Sequence, residues 1–144
     1  GAGVPAGPLS PALKAWALPT SDFACYKSDP AKARALLQQA GLSLPVPVTI
    51  TVLPRQDIKD IAQVAQAQME KAGFKVTLKN VELGAFIQAW RNGGFEMFAS
   101  ANGGSVDPDD YFYRTFRTGG STNVFKYSNP KVDGLLDQAR AMTD

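Results

Sequence analysis

Three aspartates at the predicted start of a helix, Asp107, Asp109 and Asp110, have the residue type and spacing that could support chemistry. Hard cations such as Mg²⁺ and Ca²⁺ bind several carboxylate oxygens at once, and a carboxylate pair can act as general acid and base. A carboxylate- or metal-dependent hydrolase is therefore one hypothesis. The spacing matches no EF-hand loop, however, and aspartates at a helix start commonly cap free backbone N–H groups. The sequence favours this capping role.

Other residues of common catalytic sites are scarce. The chain has no histidine and a single cysteine, Cys25. The absence of histidine removes the commonest general base, the commonest zinc ligand and every Ser-His or Cys-His pair. A lone cysteine forms neither an internal disulfide nor a cysteine-rich metal site, and we expect it to be a small buried residue. We therefore predict a protein that is not an enzyme and has no catalytic residue, cofactor or bound metal.

Two glycine pairs, Gly103-Gly104 and Gly119-Gly120, match neither a P-loop nor a complete dinucleotide-binding fingerprint, so both predict turns. The first pair lies in the segment Asn102-Gly-Gly-Ser-Val-Asp107, between a predicted strand and a predicted helix. In α/β sheets, ligands bind beyond the carboxyl ends of strands, where glycines allow close approach and helix N-termini expose donors. Asn102 and Ser105 add hydrogen-bonding side chains. These features fit a ligand-binding loop and a plain connecting loop equally well.

Helix starts are marked at three places by an Asp-Pro or Asn-Pro pair, because the first residue can cap N–H groups and proline fits the first helical position. Two further helices follow from apolar residues at helical spacing. The predicted helices run from Pro30 to Ala40, Asp57 to Ala72, Leu83 to Gly93 or Gly94, Pro108 to Arg117, and from Pro130 onward. The core-facing stripe of the longest helix is predicted to be Ile58, Ile61, Ala62, Ala65 and Met69.

Alternating apolar and polar residues predict strands. In the segment from Val46 to Leu53, Ile50 and its alternating valines are expected on the more buried face and the two threonines on the other, with Pro47 at the strand start. A second strand, Phe74 to Leu78, follows the long helix, so these two strands should be parallel with a right-handed crossover. A third, Phe95 to Ala101, is predicted to be buried on both faces. The fold class is therefore α/β.

The remaining segments are predicted to be irregular. The first 28 residues are rich in proline and glycine and predict a loop with a short turn around Ala12 to Ala17. Thr118 to Thr122 predicts a turn, and Asn123 to Tyr127 is expected to be extended. The start within a loop and the end just after a helical pattern predict that residues 1–144 are a piece of a longer protein.

The composition is that of one ordinary globular domain, since 44% of the 144 residues are hydrophobic and 19% are charged. No apolar run approaches the about 18 residues that a membrane helix needs. The 15 basic and 13 acidic residues are scattered and give a net charge of +2, without a block that could follow a phosphate backbone. Nucleic acid is therefore not an expected partner.

Four stretches with helix-start or strand signals follow one another along the chain. They are Asp29 to Gly41 (DPAKARALLQQAG), Lys71 to Leu78 (KAGFKVTL), Phe95 to Phe112 (the FEM strand, then DPDDYF) and Tyr127 to Arg140 (YSNPKVDGLLDQAR). In this order they resemble the C-terminal lobe of the family 5 extracellular solute-binding proteins, the peptide-, oligopeptide- and nickel-binding proteins of ABC importers. Each stretch alone is weak, but their order and spacing across nearly the whole chain make the resemblance specific.

The resemblance implies a single lobe of a two-lobed periplasmic-binding-protein fold, with a mixed sheet and a parallel βαβ unit flanked by helices. Residues 1–144 would be part of the C-terminal ligand-binding lobe, without the other lobe, the hinge and the signal peptide. The implied protein is a periplasmic or otherwise extracytoplasmic receptor, secreted or lipid-anchored. Its implied partners are a small-molecule or peptide solute and an ABC permease in the membrane, and the isolated lobe is expected to self-associate.

The loop that follows the third strand departs from the family pattern. In the family this strand commonly ends in a Trp that lines the cleft, and peptide-binding members follow it with an Asp that pairs with the ligand's α-amino group. Here the Trp position matches Asn102, the Asp position falls on Gly104 or Ser105, and the loop is shorter. The resemblance therefore leaves room for a neutral, sugar-like, opine-like or anionic solute as well as a peptide.

By this resemblance, the loop from Asn102 to Asp107 is predicted to form half of a solute cleft. Arg117 and Asn123, the latter in a family-like GG-x-x-N pattern, are weaker candidates for which a structural role is the alternative. Tyr111 and Trp90 are expected to pack rather than to stack on a ligand, because both occur at helical spacing with other apolar residues. The predicted ligand-binding residues are Asn102, Gly103, Gly104, Ser105, Asp107, Arg117 and Asn123.

Overall fold

The computed structural model describes residues 6–23, 26–101 and 107–142. The chain, which the sequence predicts to be one domain, divides into two compact units. The sheet unit is Ser28–Asn102, and the helical unit consists of Gly1–Lys27 and Gly103–Asp144.

The sheet unit contains a parallel sheet of β1 (Val46–Val52), β2 (Phe74–Asn80) and β3 (Met97–Ala99), in the order β2-β1-β3. The predicted parallel pair is confirmed, with Val46 opposite Phe74 and Val52 opposite Asn80. β3 joins the other side of β1 and is also parallel to it. Within the described residues the sheet thus has no antiparallel strand of the kind that a mixed sheet would contain. The helices of this unit are α1 (Pro30–Gln39), α2 (Gln56–Lys71) and α3 (Leu83–Asn92).

The predicted helix boundaries of the sheet unit are confirmed to within a residue or two. The Asp29 side chain caps α1 by accepting a 2.9 Å hydrogen bond from the backbone N–H of Lys32. Gly93 ends α3 in the left-handed conformation, with a φ of +67°, which decides between the two glycines that the sequence offered. Gly73, after α2, has a φ of +101°, and a Cβ there would lie 3.2 Å from the Leu44 side chain.

The core of the sheet unit lies between α2 and the sheet. Buried apolar side chains from β1, β2 and α2 form a single cluster, in which each isoleucine or valine contributes about 1.5–3 kcal/mol on burial. Its members are Ile50, Val52, Ile58, Ala62 and Val76. Thr51 is also buried, at 4% exposure, so the prediction that the β1 threonines occupy a less buried face is wrong at this position. The cause is that β1 is the central strand, and a parallel sheet is commonly covered on both faces.

Two further predictions about burial are wrong. Ile61 was expected in the core-facing stripe of α2 but is 62% exposed. The face of α2 that packs on the sheet carries Ile58, Ala62 and the half-buried Met69, and Ile61 lies outside it. The third strand was expected from Phe95 to Ala101 and buried on both faces, but β3 pairs with β1 only over Met97–Ala99, and Met97 is 39% exposed.

The helical unit contains a short 3-10 helix, Thr20–Asp22, followed by α4 (Pro108–Phe116) and α5 (Pro130–Ala141). The predicted turn near Ala12 to Ala17 is confirmed, because the backbone N–H groups of Trp16 and Ala17 both donate to the Leu13 carbonyl. Among the described helices, none has the length and apolar character needed to cross a bilayer.

The segment after α4 is a compact loop. The predicted turn at Thr118 to Thr122 is confirmed, with Gly119 at a φ of +76°. The extended conformation expected for Asn123 to Tyr127 is wrong, because a further turn forms there and Lys126 has a φ of +56°. Two hydrogen bonds between the Asn123 side chain and the backbone of Tyr127, one donated by each residue, hold this turn.

Candidate ligand-binding site

The predicted ligand loop connects β3 to α4. Four of its predicted ligand-binding residues, Asn102, Gly103, Gly104 and Ser105, lie outside the described residues. Both flanking elements are described: β3 ends at Ala99, and α4 begins at Pro108. The segment therefore runs from the carboxyl end of a parallel strand to the N-terminus of a helix, as the sequence predicts.

Asp107 is the first predicted site residue that the structure describes. It is the N-cap of α4 and has an extended backbone, and its carboxylate accepts a 2.9 Å hydrogen bond from the N–H of Asp109. Pro108 occupies the first helical position, where its missing N–H costs nothing. The predicted capping role of Asp107 is confirmed.

The other two aspartates of the predicted cluster bind arginines. Asp109 pairs with Arg140 of α5, whose Nε lies 2.9 and 2.8 Å from the two carboxylate oxygens and whose Nη2 lies 2.7 Å from one of them. Asp110 lies 3.6 Å from Arg114, one helical turn later. The three aspartates of the cluster thus bind three different partners. Among the described residues, no group of three acidic, histidine or cysteine side chains is placed to hold a metal ion.

Arg117 binds within the helical unit. Its Nε and Nη2 donate to the two carboxylate oxygens of Asp137 at 2.9 and 3.1 Å, and its Nη1 donates to the Thr118 carbonyl at 3.2 Å. The hydrogen bonds to Asp137 raise the pKa of Arg117, and the same bonds hold the pKa of Asp137 below its usual value. Arg117 thus joins the end of α4 to α5.

Asn123 organises the loop between α4 and α5. Its side-chain NH2 donates to the carbonyls of Arg117 and Tyr127 at 3.0 and 2.7 Å, and its Oδ1 accepts from the N–H of Tyr127 at 2.9 Å. Both amide hydrogens are therefore used, while Oδ1 keeps capacity for one further donor. These contacts are those of a loop-supporting residue.

Tyr113 lies between two arginines, a relationship that the sequence analysis missed. The Arg140 Cζ lies 3.5 Å from the Tyr113 ring centroid and the Arg117 Cζ lies 5.4 Å from it. The signal was present in the spacing, because Asp109, Tyr113 and Arg117 follow at intervals of four and share one helix face. We call this set of contacts the α4–α5 clasp, formed by Asp109, Tyr113, Arg117, Asp137 and Arg140.

Aromatic side chains line the other part of α4. Tyr111 makes edge-on contacts with Phe112 and Phe116, at centroid distances of 5.4 and 5.9 Å, and Phe116 contacts Tyr127 at 6.1 Å. Tyr111 thus packs within the helical unit as expected. Trp90 is partly buried on α3.

Solved structures with the same architecture are periplasmic binding proteins, which confirms the predicted fold class. A putative peptide binding protein, AppA, from Clostridium difficile superposes with a TM-score of 0.75 and 25% identity over 88% of this chain and 27% of its own. The ABC transporter-associated periplasmic binding protein DppA from Helicobacter pylori, solved in complex with the peptide STSA, gives a TM-score of 0.70 and 28% identity over 83% of this chain and 24% of its own.

Residues 1–123 match the family described as bacterial extracellular solute-binding proteins, family 5 Middle. The chain therefore belongs to the family 5 extracellular solute-binding proteins, which are binding proteins and not enzymes. A curated relative, the dipeptide-binding protein of Escherichia coli (strain K12), is 29% identical over 153 aligned residues. That alignment covers 100% of this chain but 28% of the relative, so the chain spans little more than a quarter of the relative's length.

Proposed function

We propose that this chain forms one side of the solute cleft of an ABC-importer receptor, within its C-terminal lobe. The receptor captures a small solute, peptide-like or other, between two lobes and delivers it to a membrane permease. The supporting observation is the family match over residues 1–123, and the family is extracytoplasmic. Closure follows from the ligand's better contacts in the closed state, and no bond is made or broken. The full-length receptor is periplasmic or otherwise extracytoplasmic, with or without a lipid anchor.

In this proposal the solute contacts residues of the loop between β3 and α4. The loop combines two glycines, which permit close approach, with the hydrogen-bonding side chains of Asn102 and Ser105. Asp107 supports the loop from its cap position. Arg117 and Asn123 contribute indirectly, because the hydrogen bonds described above hold their side chains within the helical unit. Direct contacts are thus assigned to Asn102, Gly103, Gly104 and Ser105.

The preferred solute is one that does not depend on an acidic anchor in this loop. Peptide-binding relatives carry an Asp where this chain has Gly104 or Ser105, by the resemblance described above. A free α-amino group that loses its water in the cleft, without a carboxylate to pair with, would weaken binding of the peptide. We therefore expect that N-acetylation of a dipeptide does not weaken its binding to this receptor and strengthens it, because the charge that would have to be desolvated is removed.

Calorimetry on the full-length receptor tests the proposal. A thermal-shift screen against dipeptides, N-acetylated dipeptides, sugars and opines identifies a solute, since a bound ligand raises the unfolding temperature. Asn102→Ala should then weaken binding of that solute by roughly tenfold, or about 1.4 kcal/mol. Asn92→Ala, at the exposed end of α3, is the matched control and should bind as tightly as the wild type. Unchanged affinity in Asn102→Ala would remove this residue from the site, and a receptor that binds none of these classes would overturn the function.

The chain studied on its own should behave differently from the full receptor. With only one side of the cleft, it should bind the same solute weakly or not at all. It also exposes large apolar side chains, which favour self-association. Those more than half exposed include Trp16, Leu18, Leu36, Ile61 and Val64. Sedimentation velocity at high concentration should reveal species larger than a monomer, and a clean monomer would contradict this expectation.

A further inference from the structure

The outward side of α2 carries a largely exposed apolar stripe. Ile61 and Val64 are 62% and 58% exposed, whereas Ile58 and Ala62 of the same helix are buried against the sheet. Five residues, which we call the α2 seam, follow one another here at alternating intervals of four and three: Asp57, Ile61, Val64, Gln68 and Lys71. This spacing repeats every 3.5 residues, as in the contact line between two helices of a coiled coil.

A shallow groove of about 350 Å³ lies along the α2 seam and has the form that a facing helix needs. It is lined by Asp60, Ile61, Val64, Ala65 and Gln68. In a coiled coil, each inserted side chain occupies a hole formed by four residues of the facing helix. The last four lining residues are such a set, because they lie at positions i, i+3, i+4 and i+7 and are neighbours on the helix surface. The small side chain of Ala65 leaves room there for an inserted side chain.

The charges at the two ends of the α2 seam favour one direction for the facing helix. Asp57 and Asp60 lie in the first two turns of α2, and Lys71 is its last residue. Asp57 is also paired with Arg55, and Asp60 accepts a 2.8 Å hydrogen bond from the Gln56 side chain, so Asp60 is the carboxylate without a nearby positive charge from the same turn. A parallel helix pair would bring like charges together at both ends. An antiparallel pair brings each lysine to the acidic end of the other helix, and this complementarity determines orientation more than affinity.

We infer that a second copy of this chain binds the α2 seam, with the two α2 helices antiparallel. In the register that brings apolar side chains together, Ile61 of each copy lies against Val64 of the other, and Asp57 lies beside Gln68. Removing the exposed apolar side chains from water drives the association. One pair of helices is a small interface, so the dimer is weak and depends on concentration. The inference goes beyond the proposed function and does not depend on it, because the α2 seam contains none of the predicted ligand-binding residues.

Two lysine substitutions on α2 test which surface associates. Val64→Lys places a charge in the middle of the α2 seam, and Gln63→Lys, the matched control, places the same charge at a neighbouring exposed position outside it. Sedimentation equilibrium of the chain should show a dimer dissociation constant that rises at least about tenfold in Val64→Lys and stays unchanged in Gln63→Lys. Both positions are exposed, so urea denaturation should give both variants wild-type stability. A wild-type chain that stays monomeric, or a Val64→Lys chain that dimerises as tightly as the wild type, would overturn the inference.

Disulfide cross-linking tests the direction of the two helices. In a Cys25→Ser background, chains with Asp57→Cys are mixed with chains that carry Gln68→Cys, and the mixture is oxidised mildly. Antiparallel helices bring the two positions together, so mass spectrometry should find mainly the mixed disulfide. The two copies of position 57 then lie about 16 Å apart along the helix axis, well beyond the about 7 Å between Cα atoms that a disulfide spans. Parallel helices would instead link each variant to itself, and that result would overturn the antiparallel arrangement.

The full-length receptor distinguishes a second copy from a segment of the receptor that covers the same groove. A cysteine introduced by Val64→Cys should react with a maleimide in the dilute monomer and become protected as the receptor concentration rises. Protection in the dilute monomer would show that another part of the receptor occupies the groove, and it would overturn the inference. Solute binding is measured separately, so either result leaves the proposed function to its own test.

Discussion

Arg140 stacks on the ring of Tyr113, with its Cζ 3.5 Å from the ring centroid, while the same guanidinium group is paired with Asp109. The ring therefore faces a cation whose charge is already largely balanced by a carboxylate. Under these conditions the ring acts mainly as a flat surface that restrains the guanidinium plane. The shape of the side chain at position 113 should matter more than its hydroxyl group.

Substitutions at Tyr113 test that distinction. Tyr113→Phe keeps the flat ring and loses only the hydroxyl, which helps to lower the pKa of Asp137, so the unfolding temperature of the chain should fall only slightly. Tyr113→Leu keeps apolar volume but removes the planar face, so the helical unit should unfold at a lower temperature. Circular dichroism at 222 nm measures both. Equal loss of stability in the two variants would show that the hydroxyl group, and not the ring face, is the essential feature.

Gly120 should tolerate no side chain. A Cβ at this position would lie 2.4 Å from the Arg114 carbonyl oxygen, and backbone cannot move away as a flexible side chain can. Gly120→Ala should therefore break the loop after α4 and destabilise the chain by more than about 1 kcal/mol. Gly134→Ala is the control, because no atom lies within 4 Å of its added Cβ on α5. That change should stabilise by about 0.4–1 kcal/mol, since alanine is the better helix former. Chemical denaturation measures the free energy of unfolding of both variants. An unchanged value in Gly120→Ala would contradict the close packing of Gly120 against Arg114.

Acid should weaken the contacts between α5 and the end of α4. The pKa of Asp133 is lowered by its hydrogen bonds with Thr118, and the pKa of Asp137 by its hydrogen bonds with Arg117. Because both are lower in the folded state, their stabilising contribution is present above the unfolded-state pKa of about 4 and is lost as the pH falls through the folded-state values. The unfolding temperature should thus fall as the pH drops below about 4. Asp133→Asn with Asp137→Asn should flatten that dependence, and an unchanged slope would exclude these carboxyls as its source.

Local signals in the sequence predicted the elements well, because helix caps and hydrophobic spacing act within a few residues. Asp29 and Asn129 both cap the helices that their Asp-Pro and Asn-Pro pairs predict. Burial was harder to predict, since it depends on the width of the sheet and the place of each strand in it. Thr51 is buried because β1 is central, and nothing in the alternating pattern of β1 alone contains that information.

The partners of the aspartates could be predicted only in part. Capping by Asp107 follows from its position before Pro108, but the pairing of Asp109 with Arg140 joins residues 31 positions apart. Such a contact depends on how α4 and α5 pack, which the sequence pattern does not specify. The spacing of Asp109, Tyr113 and Arg117 does place them on one helix face, and this shared face is the part of the contact that the sequence predicts.

Glu96 should protect one backbone amide of β1. Its carboxylate accepts a 2.6 Å hydrogen bond from the N–H of Thr49, directly before the residues of β1 that pair with β3. Glu96→Ala removes this acceptor, so the Thr49 amide should exchange with solvent about fivefold faster, the equivalent of about 1 kcal/mol. Glu96→Gln keeps an acceptor oxygen and should retain most of the protection. Equal exchange in all three proteins, measured by NMR, would show that the contact does not persist in solution.

Two isoleucines in the sheet unit should respond very differently to truncation. Ile50 is 3% exposed in the core cluster, whereas Ile61 is 62% exposed on α2. Ile50→Ala removes buried methyl and methylene groups and leaves a cavity, so the free energy of unfolding should fall by about 2–5 kcal/mol. Ile61→Ala removes the same atoms from an exposed site and should change stability by no more than about 0.5 kcal/mol. Urea denaturation of the two variants measures both values under one set of conditions. A large loss in Ile61→Ala would place that side chain in the core, as the spacing of apolar residues in α2 had predicted.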